Sequence, residues 1–494
     1  MKGERKHIIS VVLLIILIIN CQLSTIQAQD AQILAQRDLM GSARYVGLAG
    51  AMTAVGGDPS AVNDNPAGLG VFRRWDVRLS LFVDADRVWQ QGTKGSIGAR
   101  TTCSVSQASF VFGWLDNTRE RGLIGNNLMI SYNNLATYNR QYTASNLNEA
   151  MSLTDVIASK TNGVDESALQ PASRWDDQNW LSCQAYDTYL ISPDISDPAR
   201  WYSVLEAGQV VDKNQLNVRE YGSIDQFGIS WGGNFSNKFF LGATLNLIAI
   251  DHTQSVKYDE YFGDECGMYN DTYVHHSGFG VNGVFGVIAH PTQYVRVGAS
   301  LTTPSIMTMT TTSYGDMGST LYMPDTAGVV RLTSLSASTP ENAYNDRWTT
   351  PLRFSFGVAL QLKNYGLVSL QYDLAHQKEI DDIHTLRVGV EGVITDRFFL
   401  EAGYAYESTF LKNSAYTAGV LPDNTVRTDA YSQFIKSSHY ATAGFGYRGK
   451  YFAVHAAYRY RWQKGVTYAH EMASAYNLNA TTHNIVLTLD FHTK

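Results

Sequence analysis

FAVHAAYRYRW, residues Phe452 to Trp462, alternates without a slip. Successive side chains of an extended chain point to opposite faces. Phe452, Val454, Ala456, Tyr458, Tyr460 and Trp462 therefore share one face, and Ala453, His455, Ala457, Arg459 and Arg461 the other. The first face suits lipid and ends in aromatics that suit an interface; the second suits a polar lumen. Leu352 to Gln361 repeats the pattern, with Leu352, Phe354, Phe356, Val358 and Leu360 opposite Arg353, Ser355, Gly357, Ala359 and Gln361. From Phe239 to Ala249, Leu241, Ala243, Leu245 and Leu247 oppose Gly242, Thr244 and Asn246.

Fourteen such segments lie at about 77–90, 105–115, 126–142, 220–235, 238–258, 276–290, 293–312, 350–363, 366–378, 384–393, 396–410, 436–447, 451–468 and 482–492. An even count fits a single-chain barrel crossing a bacterial outer membrane. If the first strand runs outward, every second connection should be short. Tight turns occur at Asn234–Asn237, His290–Gln293, Lys363–Gly366, Thr395–Arg397 and Gly449–Lys450, with Asp116–Gly125 longer. Long connections fall on the opposite side, at 143–219, 313–349 and 411–435. The expected fold is all-β: a 14-stranded antiparallel transmembrane β-barrel over residues 76–494, closed at 487–491 by Leu487, Leu489 and Phe491.

Residues 1–28 read as a cleaved signal peptide: Lys2, Arg5 and Lys6, an apolar run from Ile8 to Ile19 too short to span, and an Ile26-Gln27-Ala28 cleavage site. Asn20 before Cys21 fits a lipobox poorly. The formal charge of −7 becomes −9 when Lys2, Glu4, Arg5 and Lys6 (+3 − 1 = +2) are removed, which argues against nucleic acid and against a polybasic membrane anchor. Cys103, Cys183 and Cys266 remain, with no metal spacing, and a Cys183–Cys266 bond is left open.

Only SARYVGLAGAMTAVGGDPSAVNDNPAGLGVF, Ser42 to Phe72, does not read as strand, turn or polar loop. Its small residues suit tight packing inside something else, and Asn65-Pro66-Ala67-Gly68 closes it with a rigid turn. It is read as a plug, within a hatch domain of 29–75. The 143–219 connection carries helix-like stretches at Leu147–Ala158 and Pro198–Leu205 plus Trp175, Trp180, Tyr186, Tyr189 and Trp201. It reads as a folded lid over the mouth or as a variable outer loop.

The pattern SARxxGxxGAxxAxGGDxSAxxxNPAGLGxxR resembles the hatch of the FadL/TodX outer-membrane transporters in their Bacteroidetes form. Glu220-Tyr221-Gly222, then Ile224 to Leu245, ISYNNLATYNRQY (130–142) and VRVGASLTTP (295–304) resemble the same family. The resemblance implies fourteen strands and passive transport of hydrophobic small molecules such as long-chain fatty acids. Gly56, Gly57, Asp58, Asn65, Pro66, Ala67 and Gly68 would form the gate, and a lateral exit would lie near a kinked third strand, here at Asn133-Asn134. The superfamily also includes a scaffold of the type IX secretion system that shuttles protein cargo, which is the alternative. Outer-membrane lipid and lipopolysaccharide, the barrel-assembly machinery and a hydrophobic ligand are the expected partners of a monomer. A TonB-driven receptor would need about 22 strands.

No catalytic site, cofactor or metal is expected. Gly278-x-Gly280-x-x-Gly283 lacks the helix of a dinucleotide fingerprint and reads as a strand whose small residues make room for the hatch. His275 and His276 point to opposite faces, and no Gly-x-Ser-x-Gly elbow occurs. His439 and His455, on adjacent strands, are the nearest candidates for a lipase pair. Arg353, Asp373, Arg387, Glu391, Glu401, Arg459 and Arg461 all face the expected lumen and read as a lattice bracing barrel and hatch. In a functional variant of that reading, some of these charges hold Asn65 or Asp58 and release them on ligand binding.

Overall fold

The computed structural model describes residues 33–116, 118, 121–206, 209–377, 381–408 and 428–493. Alternation produces the expected barrel of 14 antiparallel strands. They are β1 Asp76–Gln90, β2 Gly98–Phe112, β3 Leu123–Glu149, β4 Val211–Phe235, β5 Phe239–Gly263 and β6 Cys266–Ala289. β7 runs in two pieces, Val295–Thr302 and Ile306–Pro324, both paired to β6. β8 runs in three, Val330–Ser338, Asn342–Thr349 and Leu352–Gln361, all paired to β7. The wall continues as β9 Gly366–His376, β10 Ile383–Thr395, β11 Phe398–Glu407, β12 Ser432–Arg448, β13 Phe452–Tyr468 and β14 Tyr476–His492. β14 pairs with β1 from His492 opposite Asp76 to Leu478 opposite Gln90. That closure removes the sheet edge, which lipid cannot satisfy.

Each strand sorts its residues as its period dictates. On β5, Leu241, Leu245 and Leu247 are exposed while Thr244, Asn246 and Ile248 are buried. On β13, Arg459 is fully buried between the outward Tyr458 and Tyr460. Leu245, 64% exposed, sits in mid-band. Leu245→Arg should therefore cost the folded barrel about 2–4 kcal/mol in lipid, against nearly nothing at the outward Lys257. Denaturant titration of protein refolded into vesicles checks this.

Strands at the loop end are longer than the alternation suggested. The expected loop 313–349 is a hairpin of β7 and β8, and β5 meets β6 at a two-residue turn, Asp264-Glu265. Outward residues there mix Asp259 and Asp271 with exposed Tyr261, Tyr314 and Tyr322, so these extensions carry no clean lipid-facing alternation. The signal peptide and most of 411–435 lie outside the described residues.

The 143–219 segment folds into a cap, although its elements differ from those expected. Leu147 belongs to β3, and Trp201–Ser203 is a short strand paired with Ile191–Pro193. Four helices are used below: α1 Ala43–Gly47 in the plug, then α2 Leu153–Thr161, α3 Arg174–Asp177 and α4 Trp180–Asp187 in the cap. A Ser152/Asp155 capping box starts α2. Leu153, Ile157, Leu181 and Trp201 pack on Tyr142, Leu216, Tyr258, Met317 and Tyr476 of the wall in one buried apolar cluster. Cys183 and Cys266 stay free thiols; no bond joins them. Burial pushes the Cys183 thiol up to about 12.

Candidate functional site

Residues 33–72 thread the lumen beneath the cap, and the wall is carved to receive them. A Cβ built on Gly242 would lie 2.2 Å from the Pro66 carbonyl carbon, on Gly286 1.9 Å from Asn65 Oδ1, and on Gly298 2.2 Å from the Thr53 carbonyl oxygen. On Gly389 it would meet the Leu48 carbonyl oxygen at 2.6 Å, and on Gly403 the Ala49 Cβ at 2.7 Å. Absent side chains on the wall thus admit backbone of the plug. Within the plug, Gly56 has φ of +66° and its missing Cβ lets Gly68 pass, since a Cβ there would lie 2.9 Å from the Gly68 Cα.

Asn65 closes this turn in three ways. Its Nδ2 donates to the Thr53 carbonyl (2.8 Å) and to the Val287 carbonyl of β6 (3.1 Å), and its Oδ1 accepts from the Ala67 amide (3.1 Å). Pro66 and Ala67 then start a 3-10 turn, Pro66–Val71, at a position where proline's missing N–H costs nothing. The Asp58 carboxylate accepts from Ser42 Oγ, the Ser60 amide and, at 2.6 Å, Arg78 of β1. Burial pushes the Asp58 carboxyl up, but Arg78 and Arg44, with the Ser42 and Ser60 donors, bring it below the ordinary range.

The seven lumen charges expected from sequence all reach the plug or one another. Arg353 donates to the Ala35 carbonyl, Arg459 to the Leu39 carbonyl and Arg461 to Asp38. Arg387 donates to Tyr45 Oη (3.0 Å) and pairs with Asp373 (3.1 Å); Glu391 pairs with Arg44. Glu401 lies against Gly47 and 3.6 Å from His455. None of the seven bonds Asp58 or Asn65. Arg78 holds the first and backbone carbonyls the second, because the lattice strands meet the plug's front half while its closing turn faces β4–β6. Arg78 was legible too: Val77, Leu79, Leu81 and Val83 face out, which turns Arg78, Asp84 and Asp86 inward.

Above the plug lies a second apolar layer, with Tyr138, Ile224, Ile248, Ile250, Met307, Met309, Trp348 and Phe434 around Leu34 and Ala35 of the N-terminal segment. Gly278 and Gly280 serve this layer rather than the hatch; they make room for Met309 and Met307, and the β6 glycine that admits the plug is Gly286. His276 turns inward to Thr311 Oγ1, and His275 bonds Thr253 Oγ1 on the outer face. His439 faces outward to Tyr404 while His455 faces inward, so they form no pair. Among the described residues no cluster of three or more metal-ligating side chains occurs.

Beside this layer the wall is broken. β2 and β3 pair only from Gln107 opposite Asn133 to Phe112 opposite Leu128, then part until the Thr143 amide reaches the Ile97 carbonyl. At the parting point the β3–β4 register slips between Asn134 and Ala136, so Leu135 is a bulge. Asn134 Nδ2 and Tyr132 Oη both donate to Asp225, and Asn133 Nδ2 donates to Asn63 of the plug. The Asp38 amide takes the Leu135 carbonyl from inside. Thr102, Cys103 and Ser104 face Thr137 and Asn139 across a recess that opens outward, bridged by a hydrogen bond from Asn139 to Thr102.

No family model and no curated protein matches the sequence. Solved structures do match it. A FadL homologue of Pseudomonas aeruginosa superposes with a TM-score of 0.51 over 92% of this chain and 98% of its own, at 12% identity. The toluene transporter TbuX of Ralstonia pickettii gives 0.50 over 92% and 99%, also at 12%. This is the FadL fold.

On that FadL scaffold the cap packs on two buried titratable groups the sequence did not flag, Glu260, which accepts from Ser152 and the Leu153 amide, and His470. His470, between β13 and β14, is fully buried 3.8 Å from Glu260, and neither ring nitrogen has a hydrogen-bond partner among the described residues. Burial pulls it down to about 3. A depressed pKa contributes stability above the ordinary 6.5 that is lost as pH falls toward 3. Relative to His470→Phe, the wild-type cap should therefore loosen progressively below about pH 6.5. Amide exchange across 150–206 at pH 7.5 and pH 4.5 measures the difference.

Proposed function

We propose that the protein is an outer-membrane passive transporter of hydrophobic small molecules, fatty-acid-like amphiphiles foremost, with a hatch-gated lumen and lateral passage through the wall. One observation carries the reading: the β2–β3 break stands beside the mid-barrel apolar layer, above the plug and below the cap. A solute held there reaches lipid when the plug lets go of the break, where Asn63 holds Asn133 and the Asp38 amide holds the Leu135 carbonyl. Arg37 and Arg353 stand with Leu34, Leu135, Ile224, Ile248 and Met307 around a recess of about 10 Å³, so this layer has to loosen before it can take the tail and head of a long-chain carboxylate. The solved neighbours' names support the class: one is a FadL homologue and one a toluene transporter. The gate is assigned to the 56–58 and 65–68 turns, with Asn65 as its clasp.

The packed cap favours a second reading, a secretion-system scaffold that binds protein cargo, because a scaffold has no need of an open mouth. A deletion strain complemented with wild type, Asn65→Ala or empty vector separates the two. Transport requires that wild type alone restore uptake of labelled long-chain fatty acid at equal surface levels. Unchanged uptake in the deletion strain with a collapsed profile of secreted proteins would replace it by the scaffold.

A further inference from the structure

On the turn side of the plug lies a cavity whose floor is the plug itself, at Gly57 and Val71, and whose sides are the ends of β1, β12, β13 and β14. Five arginines line it in a chain whose formal charge is −7: Arg44, Arg73, Arg74, Arg78 and Arg448. Arg44 is committed to Glu391, and Arg78 to Asp58, Asp76 and Asp490. Among the described residues the other three form no ion pair within 4 Å; all three are exposed, and Arg448 lies in the field of Glu391 and Asp490. Among the described residues Arg74 donates to the Thr493 carbonyl alone, Arg73 has no hydrogen bond, and Arg448 lies over the Phe399 ring at 4.4 Å. Asp76, Asp490, His455 and His492 also line the cavity, but both carboxylates are bound to Arg78, so Arg73, Arg74 and Arg448 leave it positive, and their planar forks match a carboxylate.

We infer that this vestibule is an oxyanion site that receives the carboxylate head of an amphiphile on the turn side of the plug, a second station beyond the mid-barrel layer. The inference rests on the transport reading and deepens it, since it adds an exit under the hatch to the one through the wall. Val71 and Phe72 supply an apolar border for the start of the tail. Arg78 joins the site to the gate, because a carboxylate entering here competes with Asp58 for the same guanidinium.

The full chain in lipid nanodiscs, labelled with a diazirine-bearing long-chain fatty acid or the matching alcohol, tests it by mapping the crosslinked peptides. The acid should label the Arg73–Arg78 and Arg448 peptides at least about tenfold over the alcohol, the ratio expected of a charge-assisted over a neutral contact. Arg73→Gln/Arg74→Gln should remove that labelling and leave labelling near Met307 and Trp348 intact. Equal labelling by acid and alcohol, or labelling that survives the double substitution, overturns the inference. Displacement by an equal concentration of inorganic phosphate, with acetate inert, assigns the site to free phosphate and overturns it as well. Mid-barrel labelling without vestibule labelling removes the inference and spares the transporter; labelling at neither place removes both.

Discussion

Gly286→Val is expected to unseat the plug and leave the barrel folded. The first atom of any side chain at 286 would lie 1.9 Å from Asn65 Oδ1 and 2.9 Å from its Cγ. Asn65 has nowhere to go, because both of its amide hydrogens and its carbonyl are already committed. Overpacking costs about 1–3 kcal/mol and each buried hydrogen bond lost adds about 1. A total of about 3 kcal/mol raises the unseated fraction roughly a hundredfold. Gly392, with nothing within 4 Å of a built Cβ, is the matched control, and Gly392→Val should change nothing. Amide exchange over residues 42–72 reads the plug, and heat-modified gel mobility reads the barrel. Protection in the plug that survives Gly286→Val would mean the wall glycines do not set its seat.

Arg78 should be the costliest charge to remove, and far costlier than its partner. One guanidinium serves Asp58, Asp76 and Asp490 at 2.6, 3.3 and 2.9 Å. Arg78→Met strands three carboxylates, one of them fully buried, at a cost of about 3–5 kcal/mol to plug docking. Asp58→Asn leaves Arg78 with two carboxylates and forfeits one charge-assisted bond, about 2 kcal/mol. Because the Asp58 carboxyl is held below the ordinary 3.8, its contribution is full above that value and fades as pH falls through the lower, folded value. Limited proteolysis of the plug against urea, for both variants at pH 7, orders the two costs. Equal losses would show that Asp58 and Arg78 act as an isolated pair.

The barrel was legible because lipid imposes a rule that sequence must obey on every crossing strand: alternation from Phe452 to Trp462 reappears as outward Tyr458 and inward, fully buried Arg459. Beyond the apolar band that rule lapses. The outer halves of β5 to β8 carry polar residues on the exposed face, so Asp259 and Asp271 read as loop when they belong to a ladder. The plug was legible from its small residues, but its seat was not, since a wall glycine shows only that a side chain is missing and not which neighbour fills the space. Gly280 admits Met307 whereas Gly286 admits Asn65. The third-strand break was approached through Asn133-Asn134, yet the bulge is Leu135, which a periodicity count absorbs without a trace.

The most direct test of the transport account is to close the wall. Deleting Leu135 and Ser106, the extra residues that shift β3 against β4 and β2 against β1 at the parting point, should let β2 and β3 pair beyond Gln107. In a deletion strain supplied with this variant at wild-type surface levels, the expected result is fatty-acid uptake far below wild type, with only what the exit under the hatch carries remaining, and with the barrel folded and the plug still protected. Uptake equal to wild type would contradict lateral passage and leave the lumen and its plug as the route.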